Sequence, residues 1–222
     1  MAAIPVIAID GPSASGKGTV AAKVAAALGF HYLDSGALYR LATLAALRAG
    51  TNLDDEVALA DVARAMDVRF EAGGIRLAGA EVTEALRTEE VSAATSRVAA
   101  RPAVRQALLA RQRAFRRAPG LVADGRDMGS NVFPDAALKV FLTADVATRA
   151  ERRYKQLKEK GMYAKMQDVV EELERRDARD ASRAVAPLRH YPDAFFLDTS
   201  RLCVDEAVGQ VLGWWRERSS PP

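Results

Sequence analysis

One cysteine, Cys203, stands in the 222 residues, which excludes an internal disulfide and suits a reducing cytosol. Histidine is almost as scarce. His31 and His190 lie far apart, without ligand spacing, so no zinc site is expected. No stretch of about 18 apolar residues occurs, so no membrane span is expected. The N-terminus has no basic segment followed by an apolar run and a cleavage site, and no signal peptide is expected. Repeats and low-complexity segments are missing too. Charge of one sign is also lacking: 32 Lys and Arg against 29 Asp and Glu leave a net +3. The arginines outnumber the lysines and fall in short clusters, which is compatible with anionic substrates and equally with an ordinary solvated surface, so the charge alone says little about nucleic acid.

What is present begins at the N-terminus. Val6 to Ile9 is a continuous apolar run, the pattern of a strand buried on both faces. It stops at Gly11. A loop of small residues follows, Pro12-Ser13-Ala14-Ser15, then Gly16-Lys17-Gly18-Thr19. From Val20 the period becomes helical, with Val20, Val24, Ala27 and Leu28 on one face and Gly29 as a stop. Strand, glycine loop and helix in this order form a phosphate-binding loop. Its amides and the helix N-terminus present positive dipoles, and Lys17 adds a mobile charge. The residue after the lysine is Gly18 where Ser or Thr is usual. No direct hydroxyl bond to magnesium is therefore expected there. Thr19 is left to hold a phosphate oxygen, with the metal bound through water.

The rest of the chain alternates strands and helices, which predicts an α/β fold with a parallel sheet. Strands are expected at His31–Asp34, Leu121–Asp124, Leu138–Leu142 and Ala194–Asp198. Helices are expected from Ser35 as cap, from Asp54 as cap, over Thr88–Ala99, from Pro102 to about Arg117, from Asp145 towards Lys158, over Met166–Arg183 and from about Asp205. Val68–Phe70 and Ile75–Leu77 alternate around Gly73-Gly74 as a hairpin, with Val82-Thr83 as a further short strand. Trp214 and Trp215 read as packing residues, and the tail from Ser219 as frayed.

Four charged clusters follow strands or fall on helices. Asp34-Ser35-Gly36-Ala37-Leu38-Tyr39-Arg40 puts an arginine just over one turn into a helix, facing an anion or solvent. Asp124-Gly125-Arg126-Asp127-Met128-Gly129 follows a buried strand. There an Asp can order water around Mg²⁺ and Arg126 can clamp a phosphate. Arg176, Asp180 and Arg183 share one helical face, a cleft lining or a solvated stripe. Arg149, Arg152 and Arg153 form another such set, over phosphates or on the surface. Ligands in parallel sheets bind beyond the strands' carboxyl ends, where Lys17, Asp34, Asp124 and Arg126 all fall. Cations without a nucleophile–base pair point to phosphoryl transfer, which needs positioning and charge more than proton chemistry.

On these residues the chain resembles the nucleoside monophosphate kinases, and specifically the bacterial-type cytidylate (CMP/dCMP) kinases. The resemblance spans nearly the whole length. It is carried by Ile9-Asp10-Gly11-Pro12-Ser13 through Thr19, by the two clusters at 34–40 and 124–129, and by Arg176-Asp177 through Arg183-Ala184-Val185-Ala186-Pro187-Leu188. It implies one P-loop kinase domain over 1–222 with a five-stranded parallel sheet, a monophosphate-binding insert at about 67–99 and a lid at about 152–165. It implies transfer of phosphate from ATP, with Mg²⁺, to CMP and dCMP in pyrimidine metabolism. ATP would lie on Gly11, Pro12, Ser13, Ala14, Ser15, Gly16, Lys17, Gly18 and Thr19, with Arg152 and Arg153 from the lid. Arg40, Arg126 and Arg183 would hold the CMP phosphate beside Ser35. Arg176 and Asp180 would contact the ribose, and Ser96, Arg105 and Asp127 would read cytosine. Lys17, Arg126 and Arg183 would be catalytic, and Asp124 would hold the metal through water. A cytoplasmic monomer without nucleic-acid or membrane partners is expected. A kinase for another monophosphate such as UMP is the rival enzyme. An ATP switch bound to nucleic acid is the rival of another class, although no basic stripe interleaved with aromatics supports it.

Overall fold

The computed structural model describes residues 4–71 and 74–219. Two compact units divide them, one taking the chain up to Leu33 and again from Phe115, the other spanning Asp34–Ala114.

The first unit is built on a five-stranded parallel sheet. In chain order its strands are β1 (Val6–Asp10), β2 (His31–Asp34), β6 (Leu121–Gly125), β7 (Leu138–Thr143) and β8 (Phe195–Asp198), arranged 2-6-1-7-8. The most apolar run takes the centre: β1 pairs with β6 from Val6↔Leu121 to Asp10↔Gly125, and with β7 on its other side. Val6 to Ile9 and Leu121 to Ala123 have no exposed surface. Strand β8 closes one edge and, half wet, alternates buried Leu197 with exposed Phe196. Helix α1 (Lys17–Leu28) packs Val20, Ala21 and Val24 on Ile7 and Ile9. The C-terminal helix, Val204–Ser219, buries Ala207 and Val211 in the same core. Trp215 meets Phe30 edge-on at 5.7 Å and Trp214 stacks on Phe195 at 4.7 Å, so both tryptophans are packing residues. Because β1 lies between β6 and β7, the loops leaving all three open at one end of the sheet.

The second unit holds α2 (Ser35–Arg48), α3 (Glu56–Ala65), a three-stranded antiparallel sheet of β3 (Val68–Glu71), β4 (Gly74–Leu77) and β5 (Ala80–Glu81), α4 (Glu89–Val98) and α5 (Pro102–Arg113). The hairpin forms where it is expected; Gly73 lies outside the described residues. The further short strand is Ala80–Glu81, not Val82-Thr83. Thr83 instead turns its hydroxyl to accept the Ile75 N–H at 2.9 Å. Two caps move by one residue. Asp34, not Ser35, caps α2 by accepting the Ala37 N–H at 3.0 Å. Asp55, not Asp54, caps α3, because Asp54 is drawn to Arg97 and Arg101 at 3.0 and 2.7 Å. Helix α5 stops at Arg113 rather than near Arg117. Arg116 is pulled into the first unit's own contacts, donating to the Ile4 carbonyl and to Asp135, both at 2.7 Å.

Candidate active site

The loop after β1 is shaped by what its carbonyls find. Ser15 Oγ and Lys17 Nζ donate to the Pro12 carbonyl at 3.0 and 3.4 Å. Two helices complete the first unit, α6 (Val146–Glu159) and α7 (Met166–Ala181). From α6, Arg149 donates to the Ser13 carbonyl at 3.3 Å and Arg152 to the Ser15 carbonyl at 3.0 Å. Carbonyl and amide of a planar trans peptide point opposite ways. The amides of Ser13, Ala14 and Gly16 therefore face away from these partners. Ala14 (φ 58°) and Gly16 (φ 90°) both take left-handed backbone, the bend that turns loop into helix. For Ala14 this is strain of about 1–2 kcal/mol, held by the surrounding bonds.

Helix α1 then starts without help. No side chain caps it and no acid stands in its first turn, whereas Asp34, Asp55 and Asp145 cap α2, α3 and α6. Its first N–H groups and positive dipole end are left for an anion. The Ser13 Oγ beside it is buried without a hydrogen-bond partner.

Lys17 Nζ lies 3.7 Å from Asp124 Oδ1 at the end of β6, and the Tyr32 hydroxyl donates to Asp124 Oδ2 at 3.3 Å. A Cβ on Gly18 would stand 3.0 Å from Asp124 Oδ2 and 3.6 Å from the Tyr32 hydroxyl. A side chain at position 18 would therefore press on the Asp124 carboxylate, which would have to give way by a few tenths of an ångström.

One strand-end turn further, Arg126 and Arg183 converge on Asp180. Arg126 Nε donates to Asp180 Oδ2 at 2.8 Å, and Arg183 pairs with Oδ1. Burial raises the Asp180 carboxyl, but Arg126 and Arg183 outweigh it and hold the group below its ordinary range. Burial alone would lower Arg126, yet Asp180, helped by Asp124 and Asp177, holds it above its usual value. Helix α7 ends at Ala181, so Arg183 lies past the expected helical face; the pairing forms three residues on, across the helix end.

Arg149 and Arg152 face inward rather than forming a surface stripe. Besides the loop, Arg149 donates to the Ala144 carbonyl at 3.0 Å and to Asp177 at 2.6 Å. Arg152 also reaches the Thr199 carbonyl at 2.7 Å. Thr199 is itself buried between the Ser15 and Thr143 carbonyls, at 3.0 and 2.9 Å. Arg153 lies on α6 beside Arg152, and Arg176 on α7 beside Asp177.

In the second unit, Arg40 lies 3.5 Å from Asp34. Ser35 and Ser96 are buried, and the Ser96 hydroxyl has no hydrogen-bond partner. Arg105 is 5% exposed, donates to the Ala99 carbonyl at 3.2 Å and sits 5.7 Å over the Tyr39 ring. An arginine kept this dry is held by the carbonyl it donates to and by the face of the aromatic ring.

Four residues of the first unit were given no role from the sequence: Asp10, Asn131, Asp177 and Thr199. Asp10 had a signal, since an acid ending a fully apolar central strand must find partners. It accepts the N–H groups of Met128 and Gly129, both at 2.8 Å. Its carboxyl is pushed up to about 7 by burial, against the Gly129 and Met128 bonds, with Asp127 and Asp124 adding to the rise. A group holding its proton more tightly when folded contributes stability at low pH and loses it as pH rises through the folded value. Asp10→Asn, which cannot ionise, is expected to gain stability relative to the parent between about pH 5 and about pH 8. Denaturant unfolding at both ends of that window checks it; an equal difference at both would refute it.

The comparisons with known proteins give the family. A family model for cytidylate kinase matches residues 7–217. A cytidylate kinase of Chromobacterium violaceum is 58% identical over 98% of both chains. One of Bordetella bronchiseptica is 58% identical over 96% of both, and one of Burkholderia pseudomallei 56% identical over 98% of this chain and 95% of its own. A match this long, on a parallel sheet whose carboxyl end gathers a glycine loop, a lysine and paired arginines, shows an enzyme that phosphorylates nucleoside monophosphates, and the chain belongs to the cytidylate kinase family.

Proposed function

We propose that the protein transfers the γ-phosphoryl group of ATP to CMP and dCMP by direct in-line displacement. The observation that carries this reading is the pair Arg126 and Arg183 on one buried carboxylate, with Lys17 and the uncapped start of α1 in the same unit. ATP lies on Gly11–Thr19, with its phosphates against the loop amides and Lys17 following the γ-phosphoryl. Arg126 and Arg183 hold the acceptor phosphate together with Arg40, and Asp180 keeps the first two aimed. Arg176 and Asp180 serve the ribose, Ser35 the phosphate pocket. Arg152 acts on ATP through the loop carbonyl that it holds, and Arg153 from the next position along. Residues 67–99 serve as the monophosphate-binding insert and 152–165 as the lid of a single kinase domain, whose closure excludes water and protects ATP from hydrolysis.

The acceptor phosphate is already anionic near neutral pH, so attack on the γ-phosphorus needs no general base. The bond from the γ-phosphorus to its bridging oxygen breaks as the new one forms, and ADP leaves. Charge spreads over the migrating group, where Lys17, Arg126 and Arg183 meet it. Mg²⁺, when bound, would supply charge neutralisation to the phosphates. The donor set fits a metal held in that way. Among the described residues no three carboxylate, His or Cys side chains cluster as a cage, while Asp124 faces the bare side of Gly18. Asp124 would hold its water shell, and Thr19 a phosphate oxygen.

Cytosine presents an N4 amino donor for the Asp127 carboxylate and O2 and N3 acceptors for Arg105 and Ser96. Uracil turns a carbonyl towards Asp127 instead. A coupled ADP-release assay with CMP, dCMP, UMP, AMP and GMP tests the reading. Turnover should favour CMP and dCMP, and Asp127→Asn should lower the CMP-over-UMP ratio of kcat/KM by about 10²-fold. Preference for another monophosphate would discard the three base contacts. A cytoplasmic monomer is proposed. No helix among the described residues is long and apolar enough to cross a membrane.

A further inference from the structure

Between β6 and β7 the chain makes a π-helical turn, Met128–Val132, which nothing in the sequence announced. Asp127 stands at its head, 2% exposed, with φ −148° and ψ 27°. The Asp127 carbonyl accepts the N–H groups of Asn131 and Val132 at 3.0 and 3.1 Å. The turn has no capping side chain of its own. Its next N–H groups, on Met128 and Gly129, are taken by Asp10 from the end of β1, 118 and 119 residues away. The turn is also pressed on the sheet. A Cβ on Gly129 would stand 3.1 Å from Lys139 Cγ and 3.4 Å from Ala8 Cβ. The side chain of Asp127 has its own tether: Asn131 Nδ2 donates to Asp127 Oδ2 at 2.9 Å. A carboxylate only accepts, so the Asn131 amide presents its nitrogen there.

We propose that Asn131 and Asp10 are positioning residues for Asp127 and thereby set the choice of base. Asp10 bolts the backbone of the two residues after Asp127 to the central strand. Asn131 fixes the plane of the carboxylate by holding one of its oxygens. A carboxylate distinguishes an amino donor from a carbonyl only while its orientation is held within hydrogen-bond tolerance. A carboxylate free to rotate would make a poorer bond to cytosine and a smaller clash with uracil. Both changes lower selectivity. The proposal rests on Asp127 reading cytosine N4, as given under the proposed function.

The test measures kcat and KM for CMP and for UMP in the full-length protein and in Asp127→Asn, Asn131→Ala, Asn131→Asp and Asp10→Asn. Asn131→Ala should lower the CMP-over-UMP ratio of kcat/KM about tenfold, the scale of one hydrogen bond to a charged group. The loss should fall on KM for CMP, with kcat at saturation and KM for ATP kept. Asn131→Asp sets a second carboxylate beside the first and should lower the ratio further. Asp10→Asn should lower it in the same sense, and Asn131→Ala keeps the test open if that variant fails to fold. The proposal is overturned if Asp127→Asn collapses the ratio while both Asn131 variants keep it within twofold. It is also overturned if Asn131→Ala lowers kcat equally for both nucleotides, which is general damage. If Asp127→Asn itself leaves the ratio intact, the reading of Asp127 fails first, and the proposal with it.

Discussion

Lys17→Ala lowers kcat with CMP by about 10²–10³-fold, the loss that follows when one preorganised cation is removed from developing transition-state charge. The effect should fall on kcat more than on KM, because in the proposed reading the loop amides and the uncapped start of α1 still bind the ATP phosphates. The role proposed for Lys17 in the transition state has a geometric reason. Its amine is anchored at the loop by the Pro12 carbonyl at 3.4 Å and by Asp124 at 3.7 Å, long contacts that a migrating phosphoryl group can replace. The fold should survive, since Lys17 sits on the first turn of α1 outside the apolar core. Far-UV circular dichroism on the same preparation separates lost chemistry from lost structure. Residual activity within about fivefold of the parent would remove Lys17 from the transition state.

Asp180→Ala should be the most destabilising of the single substitutions. Asp180 is buried, with 2% of its side chain exposed, and it faces Arg126 and Arg183, whose side chains are 15% and 5% exposed. Removing one member of a buried charge network leaves the others uncompensated, at about 3–5 kcal/mol. For a chain of this size that is a fall in Tm of about 10 °C. Activity at a temperature where the variant stays folded should fall too, mainly in kcat/KM for CMP, as the two arginines proposed to bind its phosphate lose their common aim. Asp180→Asn keeps the shape and one acceptor, so its loss in Tm should be smaller. Acid behaviour gives an independent check. The Asp180 carboxyl sits below its ordinary range, so its contribution is present above the unfolded value and lost as pH falls through the folded one. The parent should lose stability relative to the alanine variant below about pH 4. A constant gap through that window would show that the two arginines do not depend on Asp180's charge.

Much of the scaffold was legible because its signals are local. The Val6–Ile9 run, the glycines after it and the 3.6-residue period from Val20 specify strand, loop and helix without reference to anything distant. The other four parallel strands appeared within one residue of their expected ends for the same reason. Boundaries failed where a distant partner intervened. Asp54 and Asp55 are equivalent caps on paper, and only Arg97 and Arg101 draw one of them away. Past Arg113 the chain leaves helix α5 because Arg116 reaches Ile4 and Asp135.

The sequence by itself determined the α/β class, the phosphate loop with Lys17, and the residue types that chemistry on phosphates needs, since propensity, period and spacing are properties of neighbours. Which charges meet was decided by the tertiary structure. Arg149 and Arg152 read equally as a surface stripe, and Asp180 as one acid in a charged run. A charged side chain on a helix stays solvated unless another element desolvates it and supplies its partner. Here that element is the parallel sheet. By placing β1 between β6 and β7 it brings Asp10 to the turn after Asp127 and lays Asp124 against Gly18. Around the same strand ends, Arg149 closes on Ser13 and Arg126 on Asp180.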